Sequence, residues 1–195
     1  MYTILMNEKL VSGPSNPDEK YPADNWWEDS IRSQRDAERL LRGLLRDFEK
    51  IGVTITKDTA ILEIGSGNGV LTKYLCDQGY DVMAIDMRPR GIPNIPVAKL
   101  RAEELPFDQT DSKQCFDLII AAGVLDPGVS DYGQDMLKIL KEFARILIPG
   151  GFVYITGGHM TSSELAASMP ASLTLVVDEH FFYILEKESE NLSTN

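Results

Sequence analysis

The sequence predicts an α/β domain: a mostly parallel sheet of seven strands with helices on both faces, ending in a C-terminal antiparallel β-hairpin. Three observations predict it. Short apolar runs alternate with helix-patterned segments, an order that gives a parallel sheet covered on both sides. A glycine-rich turn, Gly65-x-Gly67-x-Gly69, joins one apolar run to the helix after it. The last two runs have only Asp178 and Glu179 between them, too few residues for a parallel crossover, so they pair antiparallel.

Residues 1–29 are rich in Pro, Asn and Asp and read as an irregular arm. From about residue 30 to 51 the pattern is helical: Ala37, Leu40, Leu41, Leu44, Leu45 and Phe48 form one apolar stripe. Arg32, Arg35, Arg39, Arg42 and Arg46 lie on the other face, interleaved with Asp36, Glu38, Asp47 and Glu49, so that face reads as solvated. TAILEIG is a buried strand, GVLTKYLCDQG a helix ending at Gly79, and YDVMAID the next strand, which makes a βαβ unit. Further strands are expected at PVAKL (96–100), FDLIIAAG (116–123), GFVYIT (151–156), SLTLVV (172–177) and HFFYILE (180–186). A helix from about Tyr132 to Leu147 sets Met136, Leu137, Leu140, Phe143, Ala144 and Leu147 on one face. The arrangement is Rossmann-like, yet its terminal hairpin separates it from the all-parallel nicotinamide-binding fold. Residues 30–187 form one domain, and 188–195 a polar tail.

At 195 residues with 43% hydrophobic content, the chain builds one sizeable core. Its net charge of −11 repels a phosphate backbone and disfavours nucleic-acid partners. Cys76 and Cys115 are far apart and only two histidines are present, so neither a disulfide framework nor a metal site is expected. Both cysteines read as small buried residues. No stretch approaches the ~20 apolar residues of a membrane span, and a cytoplasmic location is expected.

The loop Glu63-x-Gly65-x-Gly67-x-Gly69 carries the strongest chemical signal. Glycines there let backbone approach a ligand closely beside a helix N-terminus. A dinucleotide fingerprint needs a third glycine where Val70 stands. Asp86 closes the next strand about 20 residues on, where a carboxylate can accept from both hydroxyls of a ribose.

With these residues in place, the chain resembles the class I S-adenosylmethionine-dependent methyltransferases, particularly the group with motifs LEIGxGxG, AExLPF and LxExxRxLxPGG. They stand here as LEIGSGNG (62–69), AEELPF (102–107) and LKEFARILIPGG (140–151). The resemblance implies S-adenosylmethionine as cofactor, S-adenosylhomocysteine as product, and no metal. It places the methionine portion on Gly65, Ser66, Gly67, Asn68 and Gly69, with Glu63 near the amino group. Asp86 would hold the ribose with Met87 beside the adenine, Ala102 and Glu103 would meet the adenine edge, and Ala121 would lie beneath the sulfonium. Arg101 departs from the pattern: many relatives have Asp there, which accepts from the adenine amino group, and Arg cannot accept. Pro149-Gly150-Gly151 reads as a turn feeding the next strand.

Methyl transfer from a sulfonium is an in-line displacement that needs alignment and dryness more than a catalytic dyad. Two candidate bases stand near the expected crevice, Asp126 and His159, although Asp126 reads more readily as opening a turn with Pro127, and His159 as a surface-loop residue. Gly128 and Val129 replace the proline and aromatic of the (D/N/S)PP(Y/F/W) motif of base-methylating enzymes. Trp26, Trp27 and Tyr21 either anchor the arm or help close the site. The expected activity is methylation of a small-molecule O or N acceptor. The alternatives are a protein or RNA methyltransferase, or a non-catalytic S-adenosylmethionine-binding scaffold. A homo-oligomer or partner subunit remains open.

Overall fold

A computed structural model describes residues 31, 33–87, 89, 95, 97–108, 110–111, 115–125, 135–157, 160–179 and 182–189. The expected arm (residues 1–29), Asp126, His159, Trp26, Trp27 and Tyr21 lie outside them.

Helix α1 spans Gln34–Lys50 and begins with a capping box: the Ser33 hydroxyl accepts from Asp36 N, and the Asp36 carboxylate accepts from Ser33 N. It stops at Gly52, where Val53 N donates to Phe48 O and Gly52 N to Glu49 O. The chain then runs β1 (Ala60–Ile64), α2 (Val70–Asp77), β2 (Asp81–Asp86), β3 (Val97–Lys99), β4 (Phe116–Ala122), α3 (Met136–Ile146), β5 (Leu147–Thr156), α4 (Ser162–Ser168), β6 (Leu173–Glu179) and β7 (Phe182–Lys187).

The seven strands form one sheet in the order β3-β2-β1-β4-β5-β7-β6. All neighbours up to β5 pair in parallel, and β7 runs antiparallel to both β5 and β6. Side-chain alternation along β4 feeds two cores. Phe116, Ile119 and Ala121 join a cluster with Leu140 and Phe143 of α3 and Leu165 of α4. Leu118, Ile120 and Ala122 join Ala37, Leu44 and Phe48 of α1 and Leu71 and Leu75 of α2. Helices thus cover both faces.

Several expectations change. Helix α4 was not anticipated; it is short and opens with its own capping box, the Thr161 hydroxyl accepting from Glu164 N and the Glu164 carboxylate from Thr161 N. Pro149-Gly150-Gly151 lies inside β5, at a step in register where Leu147 faces Phe116 and Phe152 faces Leu118. Leu137 is exposed, because Ile139 and Leu140 carry the buried face of α3. Cys76 is exposed and Cys115 buried. Asp178 and Glu179 belong to β6 rather than to the link between the last two strands.

Asp47 also departs from the solvated face expected of it. It is buried between α1 and β5, where it accepts from Lys50 Nζ at 3.0 Å, from Tyr154 Oη at 3.3 Å and from Arg46 Nε at 3.4 Å. Burial, with the Asp47 charge beside it, pushes the Tyr154 hydroxyl well above its ordinary value. Next to this network Phe48 is fully buried, edge-on to Phe152 with ring centroids 5.3 Å apart. Phe48→Ala is expected to cost about 3–5 kcal/mol, the range for removing a buried aromatic. Chemical denaturation checks it, and a loss under about 1 kcal/mol would show that α1 is not packed as described.

Candidate functional site

The chain leaves β1 toward β2 and β3 on one side and later reaches β4 and β5 on the other. Such a reversal opens a crevice at the carboxyl ends of the strands, here between β1 and β4. The loop from Gly65 to Gly69 sits at that crevice and leads directly into α2.

Three glycines of this loop adopt left-handed backbone, with φ of 70° at Gly65, 54° at Gly67 and 73° at Gly69. Their environments differ. A Cβ on Gly65 would lie 1.9 Å from Cγ1 of Val124, whereas one on Gly67 would meet nothing within 4 Å. Gly65 is therefore required by both conformation and packing, while Gly67 faces open space. Gly65→Ala is expected to destabilise the fold by clearly more than the ~1 kcal/mol of a left-handed alanine, and Gly67→Ala by about that amount alone. Thermal unfolding compares the two; equal losses would contradict the close approach of Val124.

The loop is tied down from β2. Gly65 N and Ser66 N both donate to Ile85 O, at 2.8 and 3.1 Å, and Gly67 N donates to Asp86 Oδ2 at 2.8 Å. Gly69 N donates to Ser66 O. Most of the loop's N–H groups thus bond within the protein, and the first two extend the β1–β2 pairing beyond the strands. Asp86 thus fixes the loop from the end of β2.

Glu63 stands on the α2 side of β1 and is 3% exposed. The Thr72 hydroxyl donates to its Oε2 at 2.5 Å. Burial pushes the Glu63 carboxyl up from 4.5 to about 7; the Thr72 bond opposes this and the nearby Asp86 charge adds to it. Ser66 is buried too, and its Oγ has no hydrogen-bond partner among the described residues. A buried hydroxyl without a partner is costly unless a ligand completes it. An acidic, partly unsatisfied cradle around open space fits a cationic adenosyl sulfonium better than a phosphate-bearing cofactor.

The remaining expected residues lie at the loop's crest, just past β2 and β3, and near the end of β4. Met87 is half-buried just past β2, and Ala121, fully buried, lies opposite Ile64 in the register of β4 on β1. Asn68 is exposed at the loop's crest. Ala102 packs against the core; Glu103 is buried and pairs with Arg101, Oε1 to Nη2 at 2.7 Å. Arg101 thus holds an acid in the segment where relatives carry Asp. Thr72, Val124, Glu142 and Arg145 were missed as site residues, and only the need of a buried Glu63 for a donor pointed to any of them. Among the described residues no group of His, Cys, Asp and Glu could hold a metal, and no helix is long and apolar enough to cross a membrane.

The family described as "Methyltransferase domain" matches residues 62–155, a span running from the Glu63 loop through β5. Over that span the chain is similar to S-adenosylmethionine-dependent methyltransferases. A ubiquinone biosynthesis O-methyltransferase of Cereibacter sphaeroides is 34% identical over 98 residues, which are 48% of this chain and 38% of that protein. A malonyl-[acyl-carrier protein] O-methyltransferase of Acetivibrio thermocellus is 33% identical over 131 residues, 62% of this chain and 44% of that one. The chain therefore spans less than half the length of these curated relatives. Among solved structures, a protein of Pyrococcus horikoshii OT3 superposes with a TM-score of 0.61 at 13% identity, covering 83% of this chain and 94% of its own. The N-methyltransferase NodS of Bradyrhizobium japonicum WM9 gives 0.52 at 15%, covering 85% and 99%. Both share the fold of this chain.

The raised Glu63 carboxyl has a consequence for stability. Its folded value, about 7, lies above the ordinary 4.5, so the folded state binds more protons between the two and stability falls as pH rises across that window. The loss approaches roughly 3 kcal/mol once pH exceeds the folded value. Glu63→Gln is expected to flatten this decline between about pH 4.5 and 7 in urea unfolding; an unaltered pH profile would show that Glu63 titrates normally.

Proposed function

We propose that this chain is an S-adenosylmethionine-dependent methyltransferase acting on an oxygen or nitrogen of a small-molecule acceptor. The observation that carries the cofactor is the cradle itself: buried Glu63 and half-buried Asp86 beside a left-handed glycine loop whose buried Ser66 hydroxyl has no partner among the described residues. The relatives named as O-methyltransferases favour oxygen as the accepting atom.

S-adenosylmethionine would supply an electrophilic methyl group, whose carbon bonds to the acceptor as its bond to sulfur breaks and neutral S-adenosylhomocysteine leaves, chemistry that requires alignment rather than a strong acid or base. The residues of this chain bind and orient. Gly65, Ser66, Gly67, Asn68 and Gly69 cradle the methionine portion; Glu63 faces its ammonium. Asp86 accepts from the ribose, Met87 packs on the adenine, and Ala102 and Glu103 border the adenine edge. Ala121, with no polar side chain, keeps the floor beneath the sulfonium dry. Asp126 and His159, outside the described residues, remain the candidate bases for an acceptor that must lose a proton.

Release of S-adenosylhomocysteine on incubation with S-adenosylmethionine and panels of phenols, carboxylic acids and amines tests the activity. Turnover with at least one class is expected. Binding without turnover on any panel, or on peptides and RNA, would leave a cofactor-binding scaffold instead. Asp86→Ala is expected to weaken S-adenosylmethionine binding at least about tenfold, the order of a lost charge-assisted hydrogen bond. Unchanged calorimetric affinity would remove Asp86 from the site.

A further inference from the structure

The segment that carries Ala102 and Glu103 has no ladder of its own. It runs between β3 and β4, with a turn closed by Glu104 N donating to Arg101 O at 3.3 Å, and then buries Leu105 and Phe107 in the core. Buried backbone groups need partners, and here they come from a helix far along the chain. Glu142 Oε2 on α3 accepts from Leu105 N at 2.9 Å. Arg145, one turn later, donates from Nη2 to Leu105 O at 2.7 Å and from Nη1 to Phe107 O at 2.5 Å. The two side chains lock each other, Nε to Oε1 at 3.0 Å and Nη2 to Oε2 at 2.7 Å.

A guanidinium is planar and presents its donors in a fixed fork, so these bonds specify direction as well as distance. Three consecutive anchor points, Leu105 N, Leu105 O and Phe107 O, are thereby fixed relative to α3. Glu103 is only two residues before the first of them, and the turn at 101–104 allows little slack. From this geometry we infer that Glu142 and Arg145 are positioning residues for the cofactor: gripping the loop from the side of α3, they set where Glu103 and Ala102 stand at the adenine edge. The inference rests on the cofactor reading above. It concerns residues that touch no ligand.

A role confined to stability and a positioning role separate in a double-mutant cycle, because positioning through Glu103 requires Glu103 to be present. S-adenosylhomocysteine is titrated calorimetrically, well below each protein's unfolding temperature, into wild type, Arg145→Ala, Glu103→Ala and the double variant. The Arg145→Ala substitution is expected to raise Kd about tenfold in the wild-type background and by less than about threefold where Glu103 is already Ala. An unchanged Kd in Arg145→Ala, or the same factor in both backgrounds, would overturn the inference. Should Arg145→Ala fail to fold, Arg145→Lys serves in the same cycle, since an ammonium keeps the charge but cannot fork to both carbonyls. Wild-type protein that does not bind would instead refute the cofactor reading, and the positioning role with it.

Discussion

A carboxylate removed from water must find donors or a positive charge, or take up a proton. Glu63 is that carboxylate here, and the Thr72 hydroxyl donates to it at 2.5 Å. Much of the site follows from placing an acid at this point. The acid lies on β1, at the sheet's reversal, because the alternation of that strand turns Leu62 and Ile64 to the α3 face and Glu63 to the α2 face. The helix that supplies Thr72 starts at Gly69, so the loop must turn within a few residues, and only left-handed glycines let it do so. Asp86 then ties that loop to the end of β2 and brings a second negative charge near the first. The loop is held by bonds within the protein, and two acids stand beside it.

The same economy governs the far side of the crevice. The segment 101–107 brings a buried acid, Glu103, against Arg101, while its backbone is satisfied by Glu142 and Arg145. The motifs AEELPF and LKEFARILIPGG are therefore one physical unit: the second supplies the side chains that the first's backbone requires. On the opposite face, the Asp47 network with Tyr154 and Lys50 fastens α1 to the sheet. Each of the three sites of buried charge links elements distant in sequence.

How much of this was legible in the sequence follows from the range of each interaction. Strand and helix order came from apolar periodicity, a local property, and the antiparallel β7 from the short spacing before it. The glycine loop and Asp86 were readable because their spacing is set by one βαβ unit. Helix α4 escaped because seven residues carry little periodicity, although Thr161 and Glu164 spelled its capping box. Asp47 looked like one more charge on a polar face; only the packing of α1 on β5 buries it. Glu142 and Arg145 stood in a quoted motif, but their partners lie 37 to 40 residues away and are backbone atoms, which no side-chain pattern reveals. Asp126 and His159 fall outside the described residues.

The central claim is that a cation docks beside a buried, half-protonated Glu63. Calorimetric titration of S-adenosylmethionine at pH 7, repeated in buffers of different ionisation enthalpy, measures protons exchanged on binding. A cation lowers the Glu63 carboxyl from its value of about 7, so wild type should release up to about half a proton per site. The Glu63→Gln variant should release none. Binding by wild type with no proton release, or with uptake, would contradict the account.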